Sequence, residues 1–268
     1  MIWALAIGRF DGMHLGHFEL FKNLGQNGGI LLIDTKKSNL TMPQYIARYT
    51  DLPVFTYELE SLKELDATEF VSKLKADFPA LKKIVVGDDF RFAANRSAGT
   101  DELKNIFDGE TTVVPELKID GKGVHSKLIR AFLLDGNVKK AAMYLGRNYE
   151  VYGSVVKGQG IGAQKLVATI NLNVNSYILP KEGVYATFTE YDGNRYPSVT
   201  FVGHRLSTDG NFAVETHILD NFCGINVANV WISFVDKVRD NRYFEGIEEL
   251  KKAIENDIRS ATFLLHKS

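Results

Sequence analysis

The residues best suited to chemistry begin with ten in a row, Gly8-Arg9-Phe10-Asp11-Gly12-Met13-His14-Leu15-Gly16-His17. They follow an apolar run and open a helical pattern. Glycines there let the backbone turn sharply and approach a ligand closely. A helix N-terminus offers unpaired amides and a partial positive charge to a phosphate. His14 and His17 are three apart, so in a first helical turn they share a face. Together they can donate to phosphate oxygens as negative charge builds during transfer. Taken singly, each histidine fits a structural role and the glycine spacing is unspecific. The ordered combination of strand, glycine turn, paired histidines and helix is what points to chemistry.

The elements that position this segment alternate in type. Ile2–Ile7, Ile30–Ile33, Ile84–Val86 and Thr111–Val114 read as buried strands. Helical patterns fall at His17–Leu24, Thr68–Lys75, Glu102–Phe107, Lys127–Leu134 and Val138–Leu145. Such alternation implies a parallel sheet covered on both faces, with ligands along one strand-end edge. From Tyr149 the period changes. Tyr149–Lys157, Val167–Val174, Val184–Tyr191, Tyr196–Gly203, Phe212–Leu219 and Ala228–Val235 read as six strands of a small antiparallel barrel. Asp192-Gly193-Asn194 and Asp209-Gly210-Asn211 mark turns between them. Phe244, Ile247, Leu250, Ile254, Ile258, Ala261 and Leu265 recur at helical spacing, predicting a last helix packed across the barrel. Gly146-Arg147-Asn148 is the expected boundary, dividing residues 1–147 from 148–268.

Composition narrows the class. The chain has 268 residues and a formal net charge of −1, with no block of like charge to mark a nucleic-acid or anionic-membrane surface. One cysteine, Cys223, excludes an internal disulfide and a cysteine-rich metal site. The apolar N-terminus is short and lacks a preceding basic region, so it reads as a strand rather than a signal peptide. No apolar run reaches the roughly 18 residues of a membrane span. A cytoplasmic protein is expected, with its oligomeric state left open.

Three segments carry a resemblance. Gly8 to His17 is similar to the signature of nucleotidyltransferases with a His-x-Gly-His motif. The preceding Phe10-Asp11-Gly12 points to the bacterial bifunctional riboflavin kinase/FMN adenylyltransferases (FAD synthetases). Gly87-Asp88-Asp89-Phe90-Arg91-Phe92 resembles that family's Gly-x-Asp-Phe-x-Phe-Gly, with Ala93 in place of the last glycine. Val124-His125-Ser126-Lys127-Leu128-Ile129-Arg130 resembles Ile-Ser-Ser-Thr-x-Ile-Arg, with His125 and Lys127 as replacements. Ser126 suits a helix N-cap. The resemblance implies a Rossmann-like nucleotidyltransferase domain followed by a riboflavin kinase-like barrel. It implies ATP contacts at Gly8, Phe10, Asp11, Gly12 and Ser126, flavin contacts at Asp89, Phe90 and Phe92, and phosphate chemistry at His14, His17 and Arg130. The family's Phe-x-Pro-His-Pro is replaced by Ile33-Asp34-Thr35-Lys36-Lys37-Ser38, so a contact there is expected to be rebuilt.

The barrel resembles the kinase half less closely. Gly158, Gly160, Gly162, Thr169 and Asn171 match a Gly-x-Gly-x-Gly…Pro-Thr-Ala-Asn pattern, and Leu179-Pro180-Lys181-Glu182-Gly183-Val184-Tyr185 matches Leu-Pro-x-x-Gly-Val-Tyr. The resemblance assigns the three glycines to ATP, Thr169 and Asn171 to Mg²⁺ and the ATP phosphates, and Glu215 to activation of the riboflavin hydroxyl. Against this, Ala163 replaces an arginine, and Gly224-Ile225-Asn226-Val227 replaces Asp-Leu-Tyr-Gly. Three readings follow. One is a bifunctional enzyme that takes riboflavin through FMN to FAD with ATP. Another is an adenylyltransferase with a degenerate flavin-binding barrel. The third is a non-enzymatic flavin carrier, which has no need of paired histidines beside Ser126 and Arg130.

Overall fold

Continuous apolar runs in the first half form the centre of a parallel sheet. The computed structural model describes residues 1–157, 167–174, 176–207, 209–219 and 227–267. Packing divides the chain into two units, Met1–Ser126 and Lys127–Ser268. In the first, strands β1 (Ala4–Gly8), β2 (Gly28–Asp34), β3 (Val54–Glu58), β4 (Lys83–Gly87) and β5 (Glu110–Val114) pair in the order β3-β2-β1-β4-β5, all parallel. Side chains alternate across the sheet. Leu5, Ile7, Leu31, Ile84 and Val86 pack with Phe70, Val71 and Leu74 of α2 (Ala67–Asp77) and Leu103 of α3 (Thr100–Ile106). Ala4, Ala6, Ile30, Leu32 and Val85 face the other way, against Phe18 and Phe21 of α1 (Leu15–Phe21) and Ile46.

The sheet covered on both faces is the expected one. β3 lies outside the strands predicted from apolar runs. As the sheet's edge it contains no fully buried residue, so it lacks the unbroken apolar stretch of a central strand. The strand order reverses between β1 and β4. Open α/β sheets bind ligands at such a point, outside the carboxyl ends of the strands. The loops after β1 and β4, residues 9–14 and 88–92, both leave from it. A two-strand ribbon, β6 (Lys118–Ile119) and β7 (Lys122–Gly123), turns at Asp120-Gly121, both with positive φ.

In the second unit, α4 (Ser126–Leu134) and α5 (Val138–Leu145) precede a closed antiparallel barrel. Its strands are β8 (Tyr149–Val156), β9 (Ile170–Asn173), β10 (Gly183–Tyr191), β11 (Asn194–His204), β12 (Phe212–Ile218) and β13 (Asn229–Asp240), in the order β10-β11-β12-β9-β8-β13. All six predicted strands are present. Gly146 caps α5 in the left-handed conformation, as a glycine at a helix stop should. α5 packs on β8 and β13, with Val138, Ala141, Tyr144 and Leu145 buried and Lys139 paired to Asp236 at 2.6 Å. The last helix, α6 (Ile247–Leu265), lies on β10, β11 and β13. Arg239 on β13 holds its buried Asp257 through two hydrogen bonds of 2.8 Å.

The barrel interior contains a closed polar circuit. Thr187, Thr189, Ser198, Thr200 and Thr216 have no solvent exposure. Thr189 donates to Ser198 at 2.9 Å and Thr200 to Thr216 at 2.9 Å. The contacts Ser198–Thr187, Thr187–Thr200 and Thr216–Thr189, at 2.8, 2.7 and 3.2 Å, complete the ring. One direction of donation satisfies all five hydroxyls, which is how buried polar groups avoid a desolvation cost.

Candidate active sites

The first site is built by the chain immediately after β1. Phe10 and Met13 have φ of 46° and 41°, a left-handed conformation unusual for such side chains. Their complete burial holds them there. The Phe10 ring sits over Gly8, where an added Cβ would lie 3.0 Å from two ring carbons. Gly12, with φ of 92°, supplies a conformation that glycine tolerates best. The turn closes through the Met13 N–H donating to the Phe10 carbonyl at 3.0 Å.

His14 and His17 come together at the start of α1. Their rings stack with centroids 3.5 Å apart and planes 19° from parallel. The His14 N–H donates to His17 Nδ1 at 3.3 Å. With Nδ1 accepting, the neutral His17 ring carries its proton on Nε2. Phe10 meets His17 edge-on, with centroids 5.2 Å apart. A Cβ on Gly16 would lie 3.3 Å from both the His14 ring and the Val124 carbonyl, so glycine allows both to approach.

Asp11 ties three segments together. Its buried carboxylate accepts the N–H groups of Asn39, Leu40 and Thr41 at 3.4, 3.0 and 3.1 Å. Its carbonyl accepts the Ser126 hydroxyl at 2.7 Å. The side chain expected to contact ATP therefore already anchors the stretch following 33–38, where the family's proline-histidine motif is replaced. Within that stretch the Asp34 carboxylate accepts the Lys36 N–H at 2.7 Å, and Lys36 pairs with Glu58 at 3.1 Å.

After β4, Asp88 donates its N–H to the Val114 carbonyl at 3.1 Å, and the Phe90 N–H closes a turn on Gly87 at 3.1 Å. Asp89 is exposed and Phe90 half-buried. Phe92 is buried against Phe70, with ring centroids 5.2 Å apart, and stacks on Phe90 at 5.6 Å. Phe90 is the better placed of the two aromatics to meet a ligand. Ala93 has φ 65° and ψ 174°, a region nearly reserved for glycine. Arg130 is half-buried on α4.

The second site lies on the outer face of the barrel. Along β12, Val214, Thr216 and Ile218 point inward, while Glu215 and His217 alternate with them. Asn171 on β9 is the register partner of Glu215, so the two side chains share a face. His217 Nδ1 lies 2.7 Å from the Ala168 carbonyl and fixes the chain next to Thr169. Arg205, just past β11, donates from Nη1 to Glu215 at 3.1 Å and lies 3.2 Å from Asp209 through Nε. Burial pushes the Glu215 carboxyl above the usual carboxylate range, Arg205 opposes that shift, and Asp209 reinforces it. Asn171 and Glu215 are thus on neighbouring strands, with Thr169 just before the start of β9. Gly158, Gly160 and Gly162 lie outside the described residues, as do Ala163 and Gly224 to Asn226.

Comparison with known proteins covers both sites. A riboflavin kinase family model matches residues 145–265, and an FAD synthetase model matches residues 49–128. A Pseudomonas fluorescens protein named bifunctional riboflavin kinase/FMN adenylyltransferase is 27% identical, over 96% of this chain and 91% of its own. The protein of that name from Escherichia coli K12 is 27% identical, over 95% and 90%. The chain is thus similar to bifunctional riboflavin kinase/FMN adenylyltransferases over nearly its whole length, with a family model for each activity in its own half.

A solved Streptococcus pneumoniae structure, described as a macrolide-efflux protein, is 26% identical. It covers 97% of this chain and 94% of its own, with a TM-score of 0.85. Among the described residues no helix here is long and apolar enough to cross a membrane. Within the family framework, the kinase match spans Thr169, Asn171 and Glu215, and also Arg205, which the motifs do not single out. Its signal was a glycine turn, Asp209-Gly210-Asn211, that folds the chain back so that a residue ten positions away reaches Glu215.

Proposed function

We infer that this chain makes FMN and then FAD, phosphorylating riboflavin in the barrel and adenylylating FMN in the first unit. One observation carries the reading: each unit holds its own polar constellation, the His14–His17 stack in one and the Asn171–Glu215 pair in the other; the riboflavin kinase match contains Asn171 and Glu215, the FAD synthetase match covers residues 49–128 of the first unit, and a relative named for both activities aligns over 96% of the chain.

In the kinase step, Glu215 takes the proton of the ribityl 5′-hydroxyl. The oxygen bonds to the γ-phosphorus of ATP as the bond to the β-phosphate bridge breaks, leaving FMN and ADP. A carboxylate held above its usual range is a better proton acceptor once ionised. Thr169 and Asn171 offer neutral oxygens, and Asn171 lies beside Glu215. This donor set suits Mg²⁺, which takes oxygen ligands and usually keeps waters and phosphates in its shell. Among the described residues no cluster of three or more His, Cys, Asp or Glu could hold a metal on its own. Bound there, Mg²⁺ would neutralise phosphate charge.

In the adenylyl step, an FMN phosphate oxygen bonds to the α-phosphorus of ATP and pyrophosphate leaves. His17, with its proton on Nε2, donates to the phosphate oxygens that gain charge, and His14 is stacked to act beside it. Arg130 supplies a planar cation for the leaving pyrophosphate. Asp89 and Phe90 meet the flavin, and Gly8, Phe10, Asp11, Gly12 and Ser126 shape the ATP cradle, Phe10 and Asp11 from beneath it. We place the reaction in the cytoplasm, where ATP is available.

The deciding assay supplies purified protein with Mg·ATP and either riboflavin or FMN, and separates the flavins chromatographically. Riboflavin should yield FMN and FAD, and FMN should yield FAD with one pyrophosphate each. FAD from FMN, with riboflavin untouched, would reduce the barrel to a binding module. No product from either would leave a flavin carrier.

A further inference from the structure

We propose that Arg205 is a positioning residue of the kinase site, its guanidinium fork bridging Asp209 and Glu215 so that the Glu215 carboxylate is held in one orientation. This inference rests on the kinase reading of Glu215.

The geometry is specific. Arg205 Nη1 donates to Glu215 Oε1 at 3.1 Å, while Nε lies 3.2 Å from Asp209 Oδ1. All three side chains are about four-fifths shielded, with exposures of 20%, 22% and 21% for Arg205, Asp209 and Glu215. Asp209 is itself fixed. Its Oδ1 accepts the Asn211 N–H at 3.1 Å, and its Oδ2 accepts Asn211 Nδ2 at 2.7 Å. The Arg205 N–H donates to the Asn211 carbonyl at 3.0 Å, and the Gly210 N–H to the Arg205 carbonyl at 3.1 Å. The backbone of Glu215 is fixed by Phe201 on one side and Asn171 on the other. Its side-chain torsions are what remain to be set, and Arg205 sets them from an anchored base. A planar fork can hold two carboxylates in fixed directions, whereas an ammonium acts as a point charge. A misdirected carboxylate loses the alignment that proton transfer needs.

The test compares Arg205→Lys, Arg205→Ala and Asp209→Asn in the full-length protein, with Mg·ATP and riboflavin. Arg205→Lys should lower kcat for riboflavin phosphorylation on the order of 10- to 100-fold, with KM for riboflavin within about twofold of wild type. Arg205→Ala should cost at least as much, and Asp209→Asn less, since it removes the ion pair to Arg205 but leaves the Arg205 hydrogen bond to Glu215 in place. FAD formation from supplied FMN should be unchanged in all three. A double variant decides between positioning and bulk structure: in a Glu215→Gln background, Arg205→Lys should cost less than about twofold, because the group it positions is gone. Wild-type kcat in Arg205→Lys would overturn the proposal. So would an undiminished cost in the Glu215→Gln background, or a loss carried by KM. If Glu215→Gln alone phosphorylates riboflavin normally, it is the reading of Glu215 that fails, and the two failures are told apart.

Discussion

The two sites are assembled in different ways. In the first, ten consecutive residues form the strand end, turn and helix start, and Asp11 clamps the result to chain 28 to 30 residues away. In the second, Asn171, Arg205 and Glu215 come from separate segments, and strand register makes them neighbours. A site written in contiguous sequence tolerates change around it. A site written in register depends on every strand that sets the pairing.

The sharpest way to test that division is Glu215→Gln. It should cut riboflavin phosphorylation by about 10²- to 10⁴-fold, the range for loss of a general base, and spare FAD formation from FMN. Because burial raises the Glu215 carboxyl, kinase activity should fall on acidification at a pH above the ordinary carboxylate range, as the base becomes protonated. FMN adenylylation, assayed over the same pH series, should not share that limb.

The junction offers the next test. α5 buries four side chains within the second unit, so a barrel fragment of residues 127–268 should be more stable than 148–268 by about 5 kcal/mol, from roughly 1.5 kcal/mol or less for each side chain uncovered. Thermal melts of the two fragments measure it. Equal melting temperatures would place the functional boundary at 147/148 and make α5 dispensable to the barrel. A fragment of residues 1–147 should convert FMN to FAD and leave riboflavin unchanged.

His17→Ala should lower FAD formation by about 100-fold or more while riboflavin phosphorylation continues. Steady-state rates within a factor of about two would remove His17 from the chemistry, that range being far below the loss of a preorganised donor. Asp11→Ala should act on folding as well as rate, costing about 3 kcal/mol because buried amides lose a charged acceptor. Chemical denaturation of the first unit reads that loss. The smallest effect expected is from Ala93→Gly. Relief of the positive φ should exceed the added unfolded-chain entropy and raise stability by about 1 kcal/mol.

The sequence revealed most where physics is local. Apolar runs found the buried strands, and alternation with turn signals found all six barrel strands. The edge strand β3 escaped because partial exposure erases the apolar signal. His14 and His17 share a face as the helical spacing requires. By contrast, the resemblance assigns Asp11 to ATP, and nothing local in the sequence shows that its carboxylate takes the N–H groups of Asn39, Leu40 and Thr41. Phe92, which the resemblance assigns to the flavin, is buried against Phe70, a contact the motif does not announce. Arg205 has no motif of its own, because its meaning comes from a hairpin that brings it onto Glu215.

The hydroxyl ring inside the barrel bears on that hairpin. Sliding one strand past another by two residues keeps every side chain on its proper side, so alternation of apolar and polar residues cannot detect the error. The ring can. Thr187 faces Ser198, and Thr200 faces Thr216, in the observed pairing. A two-residue slip would undo those direct pairings and open the closed circuit. The same pairing sets Glu215 opposite Phe201 and beside Asn171. Five hydroxyls that touch no substrate thus act as a parity check on the alignment that brings the kinase residues together.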